Sequence, residues 1–391
     1  MIERVLAAKL VELARYFPVV TVTGPRQSGK TTLCRSVFPT HRYVSLEAPD
    51  VRELARSDPR GFLEPLRGGA ILDEVQRAPD LLSYLQGEVD SDPRPGRFIV
   101  TGSANLALLQ SVTQSLAGRT GLLELLPCSL AELRRFPAPP ERFLATLIGG
   151  GYPAVFDRGI PPGEWFRGYV ATYVERDVRQ LLQVSDLDSF QRFLQLCAGR
   201  VGQLVNLSAL GADCGVTHNT ARSWLSVLEA SYIAYRVPAF HVSVTTRAVK
   251  SPKLYFHDTG LACWLLGIST PEQLRDHPLR GPLFENWVAA EVGKLRVHAG
   301  LPRSLFFFRD RKGFEVDLIV DDPVSPLAIE VKSGQTVASD FFAALDAVPE
   351  RLRSLATGRK LRKVLVFGGD EPHQRRGVRV LPWHQIDTIL S

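Results

Sequence analysis

The chain has 391 residues, of which 45% are hydrophobic and 23% charged, and a formal net charge of +6. That length exceeds a single ordinary core and predicts two or three globular domains. No apolar run approaches a membrane span, and the five cysteines are scattered without a C-x-x-C pair, which argues against a membrane protein, a disulfide framework and a zinc ribbon. With an amino terminus (MIERVLAAKL) that lacks a signal-peptide pattern, these features predict a cytoplasmic protein. The mildly basic balance is compatible with nucleic acid as a partner.

The first segment, Met1 to Tyr16, carries Val5, Leu6, Leu10 and Leu13 at helical spacing and predicts a helix covering a sheet. Phe17 to Thr23 (FPVVTVT) is a short β-branched run that predicts a buried strand. It leads into Gly24-Pro25-Arg26-Gln27-Ser28-Gly29-Lys30-Thr31, which satisfies G-x-x-x-x-G-K-[ST] and is followed by Thr32 and a helical stretch. Strand, loop and helix in this order are what phosphate binding requires. Gly24 and Gly29 let the backbone approach an anion, and successive N–H groups converge on it at a helix start. Lys30 reaches the β/γ-phosphates and the Thr31 hydroxyl faces Mg²⁺. Ala70 to Glu74 (AILDE) is an apolar strand ending in two carboxylates, with Asp73 suited to hold Mg²⁺ through water and Glu74 to polarise the attacking water. Arg97 to Thr101 predicts a third strand. If it neighbours the loop strand, Thr101, Ser103 and Asn105 lie beside the γ-phosphate. Arg119 in Leu116 to Arg119 is a candidate arginine finger acting across a subunit edge.

Phe136 to Arg142 (FPAPPER) reads as a connector, and Gly149 to Pro153 and Pro161 to Gly163 as further breaks. The stretch from 164 to about 270 reads as mainly helical. Within it Asn206 to Gly211 opens a short helix, Cys214 to Val216 is a turn, and Thr217 caps a second helix running to Tyr232. Val216, Ala221, Trp224, Leu225 and Leu228 form the buried stripe of that helix. Val237 to Val249 alternates as a hairpin would, completing a winged helix-turn-helix. His218, Asn219, Arg222 and Ser223 then face outward where a recognition helix meets DNA. The same fold also serves as a protein interface.

Farther on, Leu283 to Leu295 predicts an amphipathic helix holding Glu285. Ser304 to Arg309, Glu315 to Val320, Leu327 to Val331 and Lys363 to Phe367 predict strands, with a helix over Asp340 to Val348. Asp317 on one strand and Glu330-x-Lys332 on the next suggest a metal-nuclease arrangement. Glu285, Asp317 and Glu330 are candidate Mg²⁺ ligands, and Lys332 shares a face with Glu330 because the strand period is two. A retained scaffold that binds without cutting remains the alternative.

The order GPRQSGKT, AILDEVQ, FIVTGSAN and LAGRT, followed by GGYP at 150–153 and YVERDV at 173–178, resembles an AAA+ family of prokaryotic P-loop ATPases. Members of that family join an AAA-type domain to a helical winged-helix region and a carboxy-terminal domain similar to PD-(D/E)XK nucleases. The resemblance implies an α/β multidomain protein with an AAA-type P-loop NTPase domain (1–135), a helical winged-helix middle region (150–270) and a carboxy-terminal α/β restriction-endonuclease-like domain (275–391). It further implies ATP and Mg²⁺ at residues 24–32 with Asp73, Glu74 and Ser103. It makes Arg119 and Arg176 the candidate oligomer-dependent arginines, and Glu285, Asp317, Glu330 and Lys332 a nuclease-like site. The implied protein is an ATPase acting on DNA as a homo-oligomer, with a ring of six among the forms this allows. An ATP-dependent regulatory switch with a protein partner and an ATP-licensed nuclease are the alternatives. The motif here begins E-V-D rather than P-D.

Overall fold

The computed structural model describes residues 2–102, 114–174, 187–241, 251–352 and 358–391. Ser103, Asn105, Arg176, most of YVERDV and the segment 242–250 lie outside the described residues. The chain folds as two compact units. Unit 1 comprises Met1–Cys128 with the short pieces Ala230–Tyr232 and Val297–Leu301, and unit 2 comprises the remainder.

Unit 1 is built on a five-stranded parallel sheet of β1 (Val19–Thr23), β2 (Arg42–Ser45), β3 (Ala70–Asp73), β4 (Phe98–Thr101) and β5 (Thr120–Glu124), in the order β2-β3-β4-β1-β5. β1, β3 and β4 are buried along their whole length. This fits their continuous Val, Ile and Leu content, because parallel sheets are covered on both faces. β4 lies between β1 and β3, so the ends of the loop strand, the Asp73 strand and the Thr101 strand adjoin. The amino-terminal helix Leu6–Leu13 buries Leu6 and Leu10, whereas Val5, expected in the buried stripe, precedes the helix and is exposed.

Unit 2 begins with helices. Among them Phe143–Gly149 is joined to Pro153–Asp157 by the GGYP turn. That turn has a structural reason. Gly150 takes φ +64, where a Cβ would collide with the Asp258 carboxylate, and the Gly151 N–H donates to Asp258 Oδ2 (2.7 Å). The helices Leu207–Cys214 and His218–Ala230 follow, the first capped by Asn206 and closed by left-handed Gly215. The Thr217 hydroxyl accepts from the Thr220 N–H (3.1 Å) and caps the second. Ala221, Trp224, Leu225 and Leu228 are buried, and His218, Asn219 and Arg222 are exposed. An antiparallel pair, β6 (Ala234–Val237) with β7 (Lys253–Phe256), flanks the segment expected to form a hairpin. β6 ends at Val237 and β7 begins at Lys253, and most of the expected hairpin, residues 242–250, lies outside the described residues.

The rest of unit 2 is a six-stranded mixed sheet of β8 (Leu305–Arg309), β9 (Glu315–Val320), β10 (Leu327–Lys332), β11 (Arg362–Phe367), β12 (His373–Arg375) and β13 (Val378–Pro382), in the order β12-β13-β11-β10-β9-β8. The helix Arg280–His298 is not amphipathic, contrary to the sequence expectation. Leu283, Phe284, Trp287, Val288 and Val292 are buried, and so are Asn286, Glu291 and Lys294. Its polar groups are satisfied inside: Asn286 pairs with the Phe256 backbone (2.6 and 3.1 Å), and Glu291 accepts from Lys294 (2.8 Å) and the Leu130 N–H (2.9 Å). One buried cluster runs from Leu130 through Phe193, Leu225 and Trp287 to Leu318 and Ile389. Packing thus joins the two segments 150–270 and 275–391 that the sequence reading separates.

Candidate functional site

Unit 1 gathers its polar residues at the carboxyl ends of β1, β3 and β4, where open parallel sheets bind ligands. Gly24 leaves β1 at φ +144, and a Cβ there would collide with the Leu125 carbonyl of the chain leaving β5, so glycine is required. Gly29, at φ 93, starts the helix Lys30–Val37. Lys30 is buried and its ammonium donates to the carbonyls of Gly24 (3.1 Å) and Pro25 (2.8 Å). Burial pushes its pKa down to about 8, against the upward pull of Glu74 and Asp73. Ser28 Oγ is buried and has no hydrogen-bond partner among the described residues. A buried cation resting on loop carbonyls and a free hydroxyl fit an incoming phosphate.

Asp73 is the centre of a hydroxyl cluster. Its Oδ2 accepts from Thr31 Oγ1 (2.9 Å) and from the Tyr43 hydroxyl (2.8 Å), and its Oδ1 accepts from Thr101. Thr31 and Asp73 are hard oxygen donors side by side, the set that fits Mg²⁺. Glu74 follows with a left-handed backbone (φ 59) and accepts from the Gln76 amide. A non-glycine residue held there is the kind of local strain found at functional sites. Thr32 lines, with Thr31, Arg35, His41 and Tyr43, a pocket of about 550 Å³ beside the loop helix.

Two residues of this region escaped the sequence reading. Tyr43, on β2, reaches Asp73 only through the strand register, in which Ser45 faces Asp73. Arg4 is buried, and its guanidinium donates to the carbonyls of Ser28 (2.6 Å) and Leu126 (2.7 Å), tying the loop to the chain beyond β5. Strand alternation in Arg42–Ser45 is a weak signal for the first; the sequence holds none for the second. Arg119 lies at the opposite end of the sheet, where its carbonyl accepts from the Val19 N–H at the start of β1. Its guanidinium pairs with both oxygens of Asp90. It is therefore not brought to the loop of its own chain.

Unit 2 holds the second cluster. β9 and β10 run antiparallel with Ile329 opposite Leu318. The same register carries Glu330 to Asp317, whose Oδ2 accepts from the Val331 N–H (2.8 Å). Lys332 donates to Glu330 Oε1, and the buried Oε2 has no partner among the described residues. Glu285, from its helix, accepts from Lys253 (2.9 Å) and from Tyr255; Lys253 also pairs with Glu315 (2.6 Å). Burial first, and then Asp317, push Glu285 up to about 7 and Glu330 up to about 8, and burial also raises Asp317. Burial would lower Lys253, but Glu285 and Glu315 outweigh it and hold it up at about 12. Among the described residues no group of three or more His, Cys, Asp or Glu side chains is arranged to hold a metal ion.

A parallel sheet with this loop after β1 and an acidic strand end two places away defines a P-loop ATPase of the AAA type. Residues 16–134 match the family model described as AAA domain. Residues 140–272 and 280–386 match two further models, each described as a domain of unknown function (DUF8612 and DUF4143). Uncharacterized proteins of Mycobacterium tuberculosis and Mycobacterium bovis are each 32% identical over 333 residues, spanning 84% of this chain and 74% of their own length. The chain belongs to the family of these mycobacterial proteins, one with an AAA-type ATPase domain. Among solved structures it is similar to the Walker-type ATPase PABY2304 of Pyrococcus abyssi (16% identity, TM-score 0.44, 66% of this chain and 94% of that one). It is also similar to AMPPCP-bound DnaA from Aquifex aeolicus (14%, 0.30, 57% and 86%). No helix among the described residues is long and apolar enough to cross a membrane.

Proposed function

We propose that this protein binds and hydrolyses ATP and uses the cycle to act on DNA as a homo-oligomer. The observation that carries the ATP part is the convergence of Lys30, Thr31, Asp73 and Thr101 at the ends of three adjoining strands. Loop N–H groups and Lys30 hold the phosphates. Lys30 exchanges its carbonyl partners for phosphate oxygens, which returns a counter-charge to a buried ammonium. Thr31 and Asp73 would hold Mg²⁺, which supplies neutralisation of the β/γ-phosphate charge when bound. Glu74 orients and polarises the attacking water. Ser103 contributes from the segment after β4, and Arg119 or Arg176 reaches the nucleotide of a neighbouring copy.

The DNA part is supported by the exposed start of the helix His218–Ala230, where His218, Asn219 and Arg222 offer donors to phosphates or base edges. In this reading residues 150–270 are a winged-helix region and 275–391 a nuclease-like domain. The adjacency of Asp317, Glu330 and Lys332 supports a nuclease-derived scaffold. The lysines already seated on its carboxylates favour holding DNA over cutting it.

ATP turnover measured with single-stranded, duplex and branched DNA tests the reading, and stimulation by at least one of them is expected. Turnover indifferent to all three would favour a switch acting on a protein partner. Metal-dependent loss of intact DNA that disappears in Asp317→Asn would favour a licensed nuclease. Arg222→Ala should reduce the salt dependence of DNA affinity by about one phosphate contact, a slope change of roughly 0.9.

A further inference from the structure

The geometry points to Tyr43 as a positioning residue that holds the Asp73 carboxylate in place for a nucleotide-bound divalent cation, an inference that rests on the ATP reading above. Tyr43 sits on β2, an edge strand, and its hydroxyl donates to the same Oδ2 that accepts from Thr31 (2.8 and 2.9 Å). Thr101 takes the other oxygen. Both oxygens of Asp73 are thereby fixed by groups from three different elements: β2, the loop helix and β4. Hydroxyl donors fix a carboxylate without cancelling its charge, as a lysine or arginine would.

The bond is not one that folding demands. Tyr43 is 37% exposed and lines the pocket of about 550 Å³ beside the loop helix. Water could satisfy its hydroxyl there, so burial alone does not explain the aim at Asp73. The aim comes from the strand register and from Arg35, whose guanidinium lies 4.8 Å from the ring centre. A phenol stays protonated throughout the physiological range, so the hydroxyl remains a donor there.

If Thr31 turns its oxygen lone pairs to a cation, Tyr43 and Thr101 are the hydroxyls that keep Asp73 from rotating. Partners of this kind are commonly worth roughly 10–100-fold in metal affinity. The test measures binding of a fluorescent N-methylanthraniloyl ATP in EDTA and across a Mg²⁺ titration. Tyr43→Phe, which keeps the ring, should match wild type in EDTA and need about tenfold more Mg²⁺ for the same gain in affinity. Asp73→Asn should flatten the Mg²⁺ response, and adding Tyr43→Phe to it should change nothing further, whereas a merely structural tyrosine would weaken binding in both backgrounds. Wild-type binding with an identical Mg²⁺ response in Tyr43→Phe overturns the role of Tyr43 alone. Absence of nucleotide binding by the wild type overturns the ATP reading and this inference with it.

Discussion

Carboxylates and lysines meet in both units, but in opposite ways. At the end of β3, Asp73 is held by the hydroxyls of Thr31, Tyr43 and Thr101, while Lys30 rests on backbone carbonyls. On β9, β10 and the helix Arg280–His298, the ammonium of Lys253 sits on Glu285 and Glu315, and that of Lys332 on Glu330. Hydroxyls set geometry and leave the charge available. Lysines set geometry and consume it. The first site is prepared to receive a charged ligand, and the second has already neutralised much of itself.

The largest effect should come from separating charge from shape in unit 1. Glu74→Gln keeps the side chain's size and loses its polarising charge, so turnover should fall by about 10²–10⁴-fold with ATP still bound. Lys30→Ala should abolish binding instead. Phosphate release and nucleotide retention measured side by side distinguish the two, and equal turnover by Glu74→Gln and wild type would remove Glu74 from the mechanism.

In unit 2 the comparison predicts a loss of stability in place of activity. Lys253→Met leaves Glu285 and Glu315 facing each other's charge without their shared cation, a change worth about 3–5 kcal/mol for a broken buried pair. The loss should be smaller at pH 6 than at pH 8.5, because Glu285, held up at about 7, takes a proton at the lower pH. Chemical unfolding at the two pH values measures this. A cost under about 1 kcal/mol at both would mean that Lys253 is not the counter-charge of the cluster.

The smallest effect is a slope. Glu330 ionises near 8 in the folded chain and near 4.5 in an unfolded one, so the folded state holds its proton more tightly. The stabilisation from that proton is complete below about 4.5 and is lost as pH rises to about 8. Glu330→Gln should flatten unfolding free energy over that window. If Mg²⁺ at pH 8 restores wild-type stability but not that of the variant, the second site takes a cation after all, and the contrast between the units narrows.

The loop of unit 1 was legible because its chemistry is written in local spacing: Gly24, Gly29, Lys30 and Thr31 must be neighbours to wrap one phosphate. The strands β1, β3 and β4 were legible because both faces are buried, which leaves an unbroken apolar run. β2 and β12 were not, since each is a short edge strand with much of its surface in water. Glu330 and Lys332 could be placed on one face from the strand period, whereas Asp317 meets them through the register of β9 with β10. Lys253 and Tyr43 could not be assigned a role, because each reaches its carboxylate only through tertiary register. The helix Arg280–His298 misled because Asn286, Glu291 and Lys294 look like a solvent face in sequence and are satisfied by buried partners in the fold.

That helix also sets the order in which the chain can be assembled during synthesis. The core of unit 2 gathers residues from Leu130 to Ile389 around it, whereas the sheet of unit 1 is complete by Glu124. As the chain leaves the ribosome, unit 1 can close its sheet early, while the residues of unit 2's core up to Trp224 are made before Phe284, Trp287 and the last strands that belong to the same core. During that interval unit 2 holds apolar residues whose core partners are not yet made, a state that exposes hydrophobic surface to aggregation.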